Sequence, residues 1–256
     1  QEIILGENVY DHDGVLEWTM GAPASYSGNF SAIVDIDGDR GGEVISVSGV
    51  CDVRIFEPDG TLITSFSKTG SRTGPPSVAD FDGDGQVEIA LPSGPALHVV
   101  ELDGTLLWSQ PTTDSSGLAG ASGYDVDGDG AYEVVYADEQ TLRIYDGTTG
   151  TVLFSDPTHN SGTLWEYPVI ADLDNDGSAE IVVASNSTSS GLKGVNVFGH
   201  NGSGWAKSGT TWGTHDFAVT NLNPDGSVPT GELPWLTHNV FRARPTVDEP
   251  GQADLV

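Results

Sequence analysis

The sequence has little basic charge, one cysteine and no long apolar run. Its 256 residues include 9 lysines and arginines against 38 aspartates and glutamates, which gives a formal net charge of −29 at pH 7. A charge of this sign opposes binding to nucleic acid or to an anionic membrane surface. No stretch approaches the roughly 18 apolar residues of a membrane-spanning helix. Nucleic-acid partners and membrane insertion are therefore not expected.

Cys51 is the only cysteine, so an intrachain disulfide is excluded. Its neighbours Val50 and Val53 favour a small buried hydrophobic residue, and an intermolecular bridge is the alternative. Glycine and proline are abundant, at 34 and 14 residues, and they separate short aliphatic runs. This composition predicts short strands joined by many turns.

The sequence contains four copies of an acidic nine-residue motif. The copies are DIDGDRGGE from Asp35, DFDGDGQVE from Asp80, DVDGDGAYE from Asp125 and DLDNDGSAE from Asp172, with first aspartates 45, 45 and 47 residues apart. Each copy places carboxylates at positions 1, 3, 5 and 9. Oxygen ligands gathered in one short loop are typical of a site for a hard divalent cation, and calcium is the expected ion.

In such a loop, positions 1, 3 and 5 supply side-chain oxygens, position 7 a backbone carbonyl and position 9 the closing carboxylate. The predicted metal ligands are Asp35, Asp37, Asp39, Gly41 and Glu43; Asp80, Asp82, Asp84, Gln86 and Glu88; Asp125, Asp127, Asp129, Ala131 and Glu133; and Asp172, Asp174, Asp176, Ser178 and Glu180. A saturated oxygen cage leaves no open position for chemistry. We therefore expect about four structural Ca²⁺ ions, with no catalytic residue and no organic cofactor.

Two copies of the motif depart from the common pattern, and a fifth copy is degraded. Arg40 occupies position 6 of the first copy, where glycine permits the sharp turn, so weaker binding is expected at Asp35. Asn175 replaces glycine at position 4 of the last copy, and asparagine tolerates the left-handed conformation. The degraded copy offers Asn221, Asn223 and Asp225. It is interpreted as metal-free or weak.

The segment around the second motif shows the structural unit. Strands are predicted over Pro76–Phe81, Val87–Pro92, Ala96–Glu101 and Thr105–Ser109. Four antiparallel strands in about 45 residues are typical of one propeller blade, with the acidic loop between its first and second strands. The predicted fold class is an all-β propeller in which about five blades are visible.

The hairpin between the third and fourth strands recurs five times, and its fourth strand carries a large aromatic residue near the end. These residues are Trp18, Phe66, Trp108, Phe154 and Trp205. They are interpreted as packing between adjacent blades, with a sugar-stacking array as the alternative.

The repeats divide the chain into predicted units: the second half of a blade at 1–31, blades at 32–74, 75–118, 119–164 and 165–213, a degenerate closing blade at 214–245 and a linker at 246–256. Two interpretations of the ends stay open. The strand predicted at Phe217–Asn221 closes a ring of about five blades with the N-terminal strands, or the chain is part of a larger propeller. The second interpretation is favoured.

The loops DFDGDGQVEIAL, DVDGDGAYEVVY and DLDNDGSAEIVV resemble the FG-GAP/VCBS repeats of the integrin α-subunit propeller and of many secreted bacterial proteins. The resemblance covers about residues 30–210 and implies a calcium-stabilised β-propeller outside the cell, used in adhesion or in binding protein or carbohydrate. Integrin loops typically close with aspartate, whereas this chain has glutamate at position 9, which is closer to the bacterial variants.

The leading functional hypothesis is a non-enzymatic module of a secreted or cell-surface protein. Its expected partners are a protein or glycan at the cell surface, with self-assembly or neighbouring domains of a larger chain as further candidates. The alternative is a carbohydrate-active enzyme or lectin on the same scaffold. The residues weighed for it are His12, His98, His159, His200, His215, His238, Arg54 and Arg143, together with the tract Trp205–Trp235.

Overall fold

The computed structural model describes residues 2–21, 30–48, 51–70, 72–162, 164–186, 191–200, 204–218, 223, 227 and 233–246. Across these residues the fold is all-β, with one short 3₁₀ helix and no α-helix. The strands form five sheets in which neighbouring strands are antiparallel, apart from one parallel pairing in sheet 4. No helix of the described residues is long and apolar enough to cross a membrane.

The strands follow one another from sheet to sheet in chain order. Sheet 1 contains β1 (Ile3–Leu5), β2 (Asn8–Tyr10) and β3 (Leu16–Thr19). Sheet 2 contains β4 (Phe30–Val34), β5 (Glu43–Ser48), β6 (Asp52–Phe56) and β7 (Leu62–Ser67). Sheet 3 contains β8 (Ser77–Ala79), β9 (Glu88–Pro92), β10 (Ala96–Val100) and β11 (Leu106–Pro111).

Sheet 4 contains β12 (Ala121–Tyr124), β13 (Glu133–Ala137), β14 (Leu142–Tyr145) and β15 (Val152–Asp156). Sheet 5 contains β16 (Val169–Ala171), β17 (Glu180–Asn186) and β18 (Lys193–Gly199). The 3₁₀ helix η1 (Pro234–Leu236) and the two-residue strand β19 (Ala243–Arg244) follow. β19 pairs in parallel with β12, so it joins sheet 4.

The four strands predicted for the second unit are confirmed in type and order as β8 to β11. The hairpin turns of sheets 1 to 4 form as expected from their Asp-Gly or similar sequences, whereas the fifth predicted turn, at Gly202, lies outside the described residues. At the β6–β7 turn, for example, Gly60 N–H donates to the Glu57 carbonyl at 2.9 Å, and Glu57 N–H donates to the Thr61 carbonyl at 2.8 Å. The pairing of the two strands shifts register beside this turn and beside the equivalent turns of sheets 1, 3 and 4. Each shift is a β-bulge.

The hydrophobic core lies between consecutive sheets. Strands β5 and β13 are buried along their whole length, so both faces of each strand are covered. One face of sheet 2, with Ile45 and Ile55, packs against Ile89 and Leu91 of sheet 3 in a single cluster. Equivalent clusters join sheets 3 and 4 and sheets 4 and 5. The sheets thus stack side by side in the manner of propeller blades, as the sequence predicts at this level.

Aromatic residues of the outer strands lie over the hairpin glycine of the next sheet. A Cβ added to Gly60, Gly104 or Gly150 would lie 2.7, 2.6 or 2.6 Å from the ring of Trp18, Phe66 or Trp108, respectively. The two indole N–H groups also donate to backbone carbonyls of the next hairpin, that of Trp18 to Pro58 and that of Trp108 to Gly147. These three aromatic residues therefore pack between blades, which supports the packing interpretation over a sugar-stacking array.

A segment near the C-terminus runs along the first strands of four sheets. The Asn239 side chain bonds both backbone groups of Asp35 after β4, at 2.8 and 2.5 Å. Phe241 and Val78 of β8 exchange two backbone hydrogen bonds of 2.8 Å. Ala243 pairs with Gly123 of β12. The guanidinium of Arg244 donates from Nε to the Ile170 carbonyl of β16 at 3.3 Å. This central segment, residues 239–244, ties the four sheets together at their inner strands.

The remaining end predictions are only partly within the described residues. Phe217 and Ala218 are in no strand, and residues 219–221 of the predicted strand Phe217–Asn221 lie outside the described part. The proposed closing blade and linker stay predictions. Cys51 is buried, as predicted, with its Sγ 3.6 Å from the Arg72 carbonyl oxygen.

Candidate metal centres and a cavity beside the central segment

The four acidic loops occupy equivalent places, each joining the first strand of a sheet to the second. They connect β4 to β5, β8 to β9, β12 to β13 and β16 to β17. In each, position 9 is the first residue of the second strand: Glu43, Glu88, Glu133 and Glu180. The closing carboxylate is therefore held by a sheet, while the aspartates are held by the loop.

The loops share one pattern of side-chain to backbone hydrogen bonds. In the loop at 80–88, Asp80 accepts from Gly83 N–H at 2.7 Å and from Gly85 N–H at 2.9 Å. Asp82 accepts from Asp84 N–H at 3.1 Å, and Asp84 accepts from Gln86 N–H at 2.8 Å. The corresponding bonds from positions 6 and 7 occur in all four loops. The aspartates therefore shape the loop backbone, and position 1 does so with both carboxylate oxygens in the loops of Asp35, Asp80 and Asp125.

The closing glutamates are oriented in the same way. Their Oε2 atoms accept the N–H of position 2, in distances of 2.8, 2.6, 2.7 and 2.7 Å for Glu43, Glu88, Glu133 and Glu180. The second oxygens of Glu43 and Glu88 are buried and have no hydrogen-bond partner, and neither has Oδ1 of Asp172. A buried carboxylate oxygen without a partner costs free energy unless a cation or donor satisfies it. These oxygens fit a cation held inside the loop.

The side chains that converge differ between loops. One oxygen from each of Asp80, Asp82, Asp84 and Glu88 lies within 4.8 Å of the others. The other groups have three members: Asp35, Asp37 and Asp39; Asp125, Asp127 and Glu133; and Asp172, Asp174 and Glu180. Glu43, Asp129 and Asp176 lie outside these groups. The complete predicted side-chain set is thus brought together only in the loop at 80–88, among the four loops compared.

The burial of these carboxylates changes their protonation. Desolvation raises the pKa of Glu88 to about 8 and that of Glu133 to about 8, with neighbouring aspartates adding to the shift. Burial likewise raises the pKa values of Glu43, Glu180, Asp80 and Asp125. A divalent cation would favour the ionised forms, since an opposite charge lowers a carboxyl pKa.

The two sequence departures adopt the conformations that the sequence implies. Arg40 has φ of 76° and Asn175 has φ of 62°, both in the left-handed region. The Arg40 carbonyl accepts from the Trp235 indole N–H at 3.2 Å, so this loop also contacts η1. Of the degraded fifth loop, Asn223 is described, whereas Asn221 and Asp225 lie outside the described residues.

Four of the histidines and arginines considered for catalysis hold loops in place, whereas His215 lies beside Arg242 and Tyr167. His98 Nε2 lies 3.2 Å from the Thr69 carbonyl oxygen, and His159 Nδ1 lies 3.0 Å from the Ser185 hydroxyl oxygen. Arg54 donates to the Met20 carbonyl, and Arg143 donates to Asp138 at 2.7 Å. These four side chains belong to separate local contacts and do not form one catalytic group.

A cavity of about 460 Å³ lies where β1, β4 and the central segment meet. Its apolar lining includes Phe30, Trp235 and Phe241, and its charged lining residues are Asp216 and Arg242. Cavities of this size with aromatic walls and few polar groups are typical of ligand sites. Sequence reasoning missed it, because it is formed by residues more than 200 positions apart in the chain.

Arg242 is the most unusual side chain beside this cavity. It is 1% exposed, lies 4.6 Å from the centre of the Tyr167 ring and donates from Nη2 to Asp216. Its Nε and Nη1 atoms have no hydrogen-bond partner. A buried guanidinium with unused donors is suited to a ligand oxygen. The available sequence signal was Phe241-Arg242-Ala243-Arg244, which holds two of only nine basic residues.

Comparison with known proteins gives one family match. Residues 125–183 match the family model described as an FG-GAP-like repeat, which confirms the resemblance over the third and fourth loops. No curated protein sequence matches the chain.

Solved structures share the fold at low sequence identity. The V. cholerae biofilm matrix protein Bap1 superposes with a TM-score of 0.82 and 18% identity, over 96% of this chain and 68% of that one. The Pseudomonas aeruginosa PilY1 C-terminal domain superposes with a TM-score of 0.56 and 12% identity, over 98% of this chain and 71% of that one. Bacillus licheniformis rhamnogalacturonan lyase PL11 superposes with a TM-score of 0.53 and 17% identity, over 74% of this chain and 41% of that one. The chain therefore carries FG-GAP-like repeat sequence at 125–183 within an all-β, propeller-like fold.

Proposed function

We propose that this chain is a calcium-stabilised β-propeller module of a secreted or cell-surface protein, with a non-enzymatic role in adhesion, assembly or the binding of a protein or glycan. The observation that carries the calcium proposal is the pair of buried carboxylate oxygens without partners at Glu88 and Asp172, both of which belong to the converging groups of their loops. Each belongs to a loop whose other oxygens already hold the backbone in a cation-binding shape.

Calcium would be held by the aspartates and closing glutamate of each loop, together with the carbonyl of position 7. The residues at position 7 are Gly41, Gln86, Ala131 and Ser178. About four ions are proposed, with the site at Asp35 the weakest. The ion would cancel the repulsion among carboxylates and link the loop to the second strand of its sheet. Its role would be to make each blade rigid.

The proposed location is extracellular. Calcium is millimolar outside cells, which keeps even weak loop sites filled. A chain with a single cysteine has no intrachain disulfide to stabilise it, so metal is the available cross-link. The name of the structurally similar Bap1, a biofilm matrix protein, supports the same location.

The finer proposal for the fold is that the five sheets are blades of a propeller. The equivalent position of each acidic loop and the repeated contact between aromatic residue and hairpin glycine support it. A ring of about five blades and membership of a larger propeller both remain compatible with the five sheets.

Calorimetric titration of the metal-free chain with Ca²⁺ tests the metal proposal. Three tighter sites and one weaker site are expected, and a parallel titration with Mg²⁺ should give weaker binding because the smaller ion demands stricter octahedral geometry. A titration with no binding of Ca²⁺ at millimolar concentration would refute the proposal.

The second candidate is a lectin or carbohydrate-active enzyme, and the cavity beside Arg242 favours it. Aromatic walls with a buried guanidinium suit a sugar that carries an oxygen acceptor. A glycan array that includes pectic polysaccharides tests binding, with Trp235→Ala as the cavity variant and Trp205→Ala, whose ring packs on Phe154, as an aromatic control outside the lining. Turnover of a polysaccharide that requires His215 but survives substitution of loop aspartates would favour the enzyme.

A further inference from the structure

The second and third acidic loops, those of Asp80 and Asp125, lie against each other. A Cβ added to Gly83, at position 4 of the second loop, would lie 3.4 Å from the Cβ of Ala131, at position 7 of the third. The N–H of Tyr132, at position 8 of the third loop, donates to the Asp80 carbonyl at 2.9 Å. Asp80 is a predicted metal ligand, and Tyr132 directly follows another, so one hydrogen bond separates the ligand sets of the two loops.

This hydrogen bond is part of a chain that runs from one candidate centre to the other. The Ala131 carbonyl, which is the predicted ligand at position 7, and the Tyr132 N–H belong to one planar trans peptide unit and point in opposite directions. The Asp80 carbonyl and the Phe81 N–H share the next unit, and Phe81 N–H donates to Oε2 of Glu88 at 2.6 Å. Glu88 is the closing residue of the second loop, and its Oε1 is buried without a partner. Two peptide units and two hydrogen bonds therefore connect a ligand of the third loop to the closing carboxylate of the second.

The other neighbouring loops are joined differently. In the first loop, the Asp35 carbonyl accepts from the Asn239 side chain at 2.5 Å, so its partner is the central segment. The third and fourth loops are linked through Ala206, which lies in neither: its N–H donates to the Val126 carbonyl at 2.8 Å, and its carbonyl accepts from Ala179 N–H at 3.3 Å. Among the residues of the four loops, all of which the structure describes, a backbone hydrogen bond between two loops occurs only from the third to the second.

The chain of bonds gives occupancy of one centre a physical effect on the other. With a cation bound at the Ala131 carbonyl, its peptide unit is polarised and the Tyr132 N–H becomes a stronger donor, since hydrogen bonds in a chain strengthen one another. A third loop that is already fixed by its ion also leaves the second loop with less conformational entropy to lose on binding. Both effects favour positive coupling. Repulsion between the two ions has the opposite sign and is reduced by salt.

We propose that the second and third loops bind Ca²⁺ as a coupled pair, in which the peptide unit between Ala131 and Tyr132 transmits the occupancy of one centre to the other. The first loop binds its ion independently of this pair. The inference rests on the calcium binding proposed above and adds to it the regulation of two sites by each other. Sheets 3 and 4 would then become rigid together, over a narrow range of calcium concentration.

A calcium titration followed by NMR tests the coupling, because the amides of the loop glycines report each site separately. The signal of Gly85 follows the second loop and that of Gly130 the third, at buffered concentrations of free Ca²⁺ in physiological salt. Glu133→Gln removes the closing charge of the third loop and keeps an acceptor for its backbone. This variant should raise the Ca²⁺ midpoint of Gly85 at least about fivefold, the lower end of typical coupling between sites. Because coupling is reciprocal, Glu88→Gln should raise the midpoint of Gly130 by about the same factor.

Glu43→Gln is the matched control, since it removes the same charge from the loop on the other side of the second loop. It should abolish binding in its own loop without moving the Gly85 midpoint. Asp127→Asn, at an exposed position of the third loop, is the second variant if Glu133→Gln fails to fold. A Gly85 midpoint that does not rise in the third-loop variant, or that rises equally in Glu43→Gln, overturns the coupling. Four sites that fill independently would refute the coupling alone, whereas a chain that binds no calcium would refute the proposed function as well.

Discussion

The loops at 80–88 and 35–43 share their hydrogen bonds but differ in what they bring together. In both, position 1 accepts from positions 4 and 6, and position 9 accepts from position 2. Of these two loops, only the one at 80–88 gathers all four carboxylates within 4.8 Å of one another. In the loop at 35–43, Glu43 lies outside the group formed by the three aspartates. The spacing of acidic residues therefore determines the backbone of the loop, whereas the convergence of ligands depends on individual positions.

Position 6 is the clearest sequence difference between these loops. Gly85 has φ of 92° and Arg40 has φ of 76°, so the same left-handed turn is made by glycine in one loop and by arginine in the other. The left-handed region costs a residue with a Cβ about 1–2 kcal/mol. Arginine also brings a positive charge near the place where a cation would bind. The comparison predicts a tight site at Asp80 and a weak one at Asp35.

Removal of calcium should have the largest effect on stability, because it empties the sites of all four acidic loops. Three sites filled at 100 times their dissociation constants would stabilise the fold by roughly 2.7 kcal/mol each. At about 2–4 °C per kcal/mol for a chain of this size, EGTA should lower the melting temperature by more than about 10 °C. Thermal unfolding followed by circular dichroism measures this, with excess Ca²⁺ added back as the control. An unchanged melting temperature would show that the loops are ordinary acidic turns.

Substitution of the closing glutamates should separate the two loops. Glu88→Gln keeps an acceptor for Phe81 N–H but removes the charge from the complete group, so one tight site should be lost together with about 2–3 kcal/mol of calcium-dependent stability. Glu43→Gln, the matched variant in the weak loop, should cost less than about 1 kcal/mol. Site counts from calorimetry and unfolding in saturating Ca²⁺ provide the measurements. Equal losses from both variants would contradict the ranking of the loops.

The metal-free chain should lose stability as the pH rises. Burial raises the pKa of Glu88 to about 8 in the fold from the 4.5 of an exposed glutamate, so between these values the folded state binds more protons than the unfolded state. The contribution of Glu88 to the free energy of unfolding is then fully present below about pH 4.5 and declines toward pH 8. For one carboxyl group the decline is at most about 1.4 kcal/mol per pH unit. Urea unfolding at several pH values without metal measures the slope. Glu88→Gln should reduce the slope without removing it, because the raised pKa of Glu133 adds a slope of the same sign, and a slope of the opposite sign would contradict the assignment.

Local features of the structure could be predicted from the sequence. The acidic loops and hairpins are fixed by contacts a few residues apart, such as those of Asp80 with Gly83 and Gly85. The spacing of carboxylates and turn glycines therefore places the loops between the correct strands. The resemblance to FG-GAP/VCBS repeats follows from the same residues and is confirmed at 125–183.

Long-range features could not be predicted in this way. Asn239 bonds to Asp35 across 204 positions, and no local pattern indicates that the central segment will line the inner strands. The cavity beside Arg242 has the same origin, since its lining joins residues more than 200 positions apart in the chain.

Exchange of the residues at position 6 should have the smallest effect on stability and is the sharpest test of the two loops. Arg40→Gly relieves the left-handed strain but gives the unfolded chain more freedom, so the net gain should be at most about 1 kcal/mol. Gly85→Arg should weaken calcium binding at the tight site. A steric clash is excluded as the cause, because a Cβ added to Gly85 meets no atom within 4 Å. Gly85→Ala separates strain from charge. If calcium affinity at Asp35 rises in Arg40→Gly and that at Asp80 falls more in Gly85→Arg than in Gly85→Ala, both strain and charge set the difference. Unchanged affinities would assign it to the position of Glu43 instead.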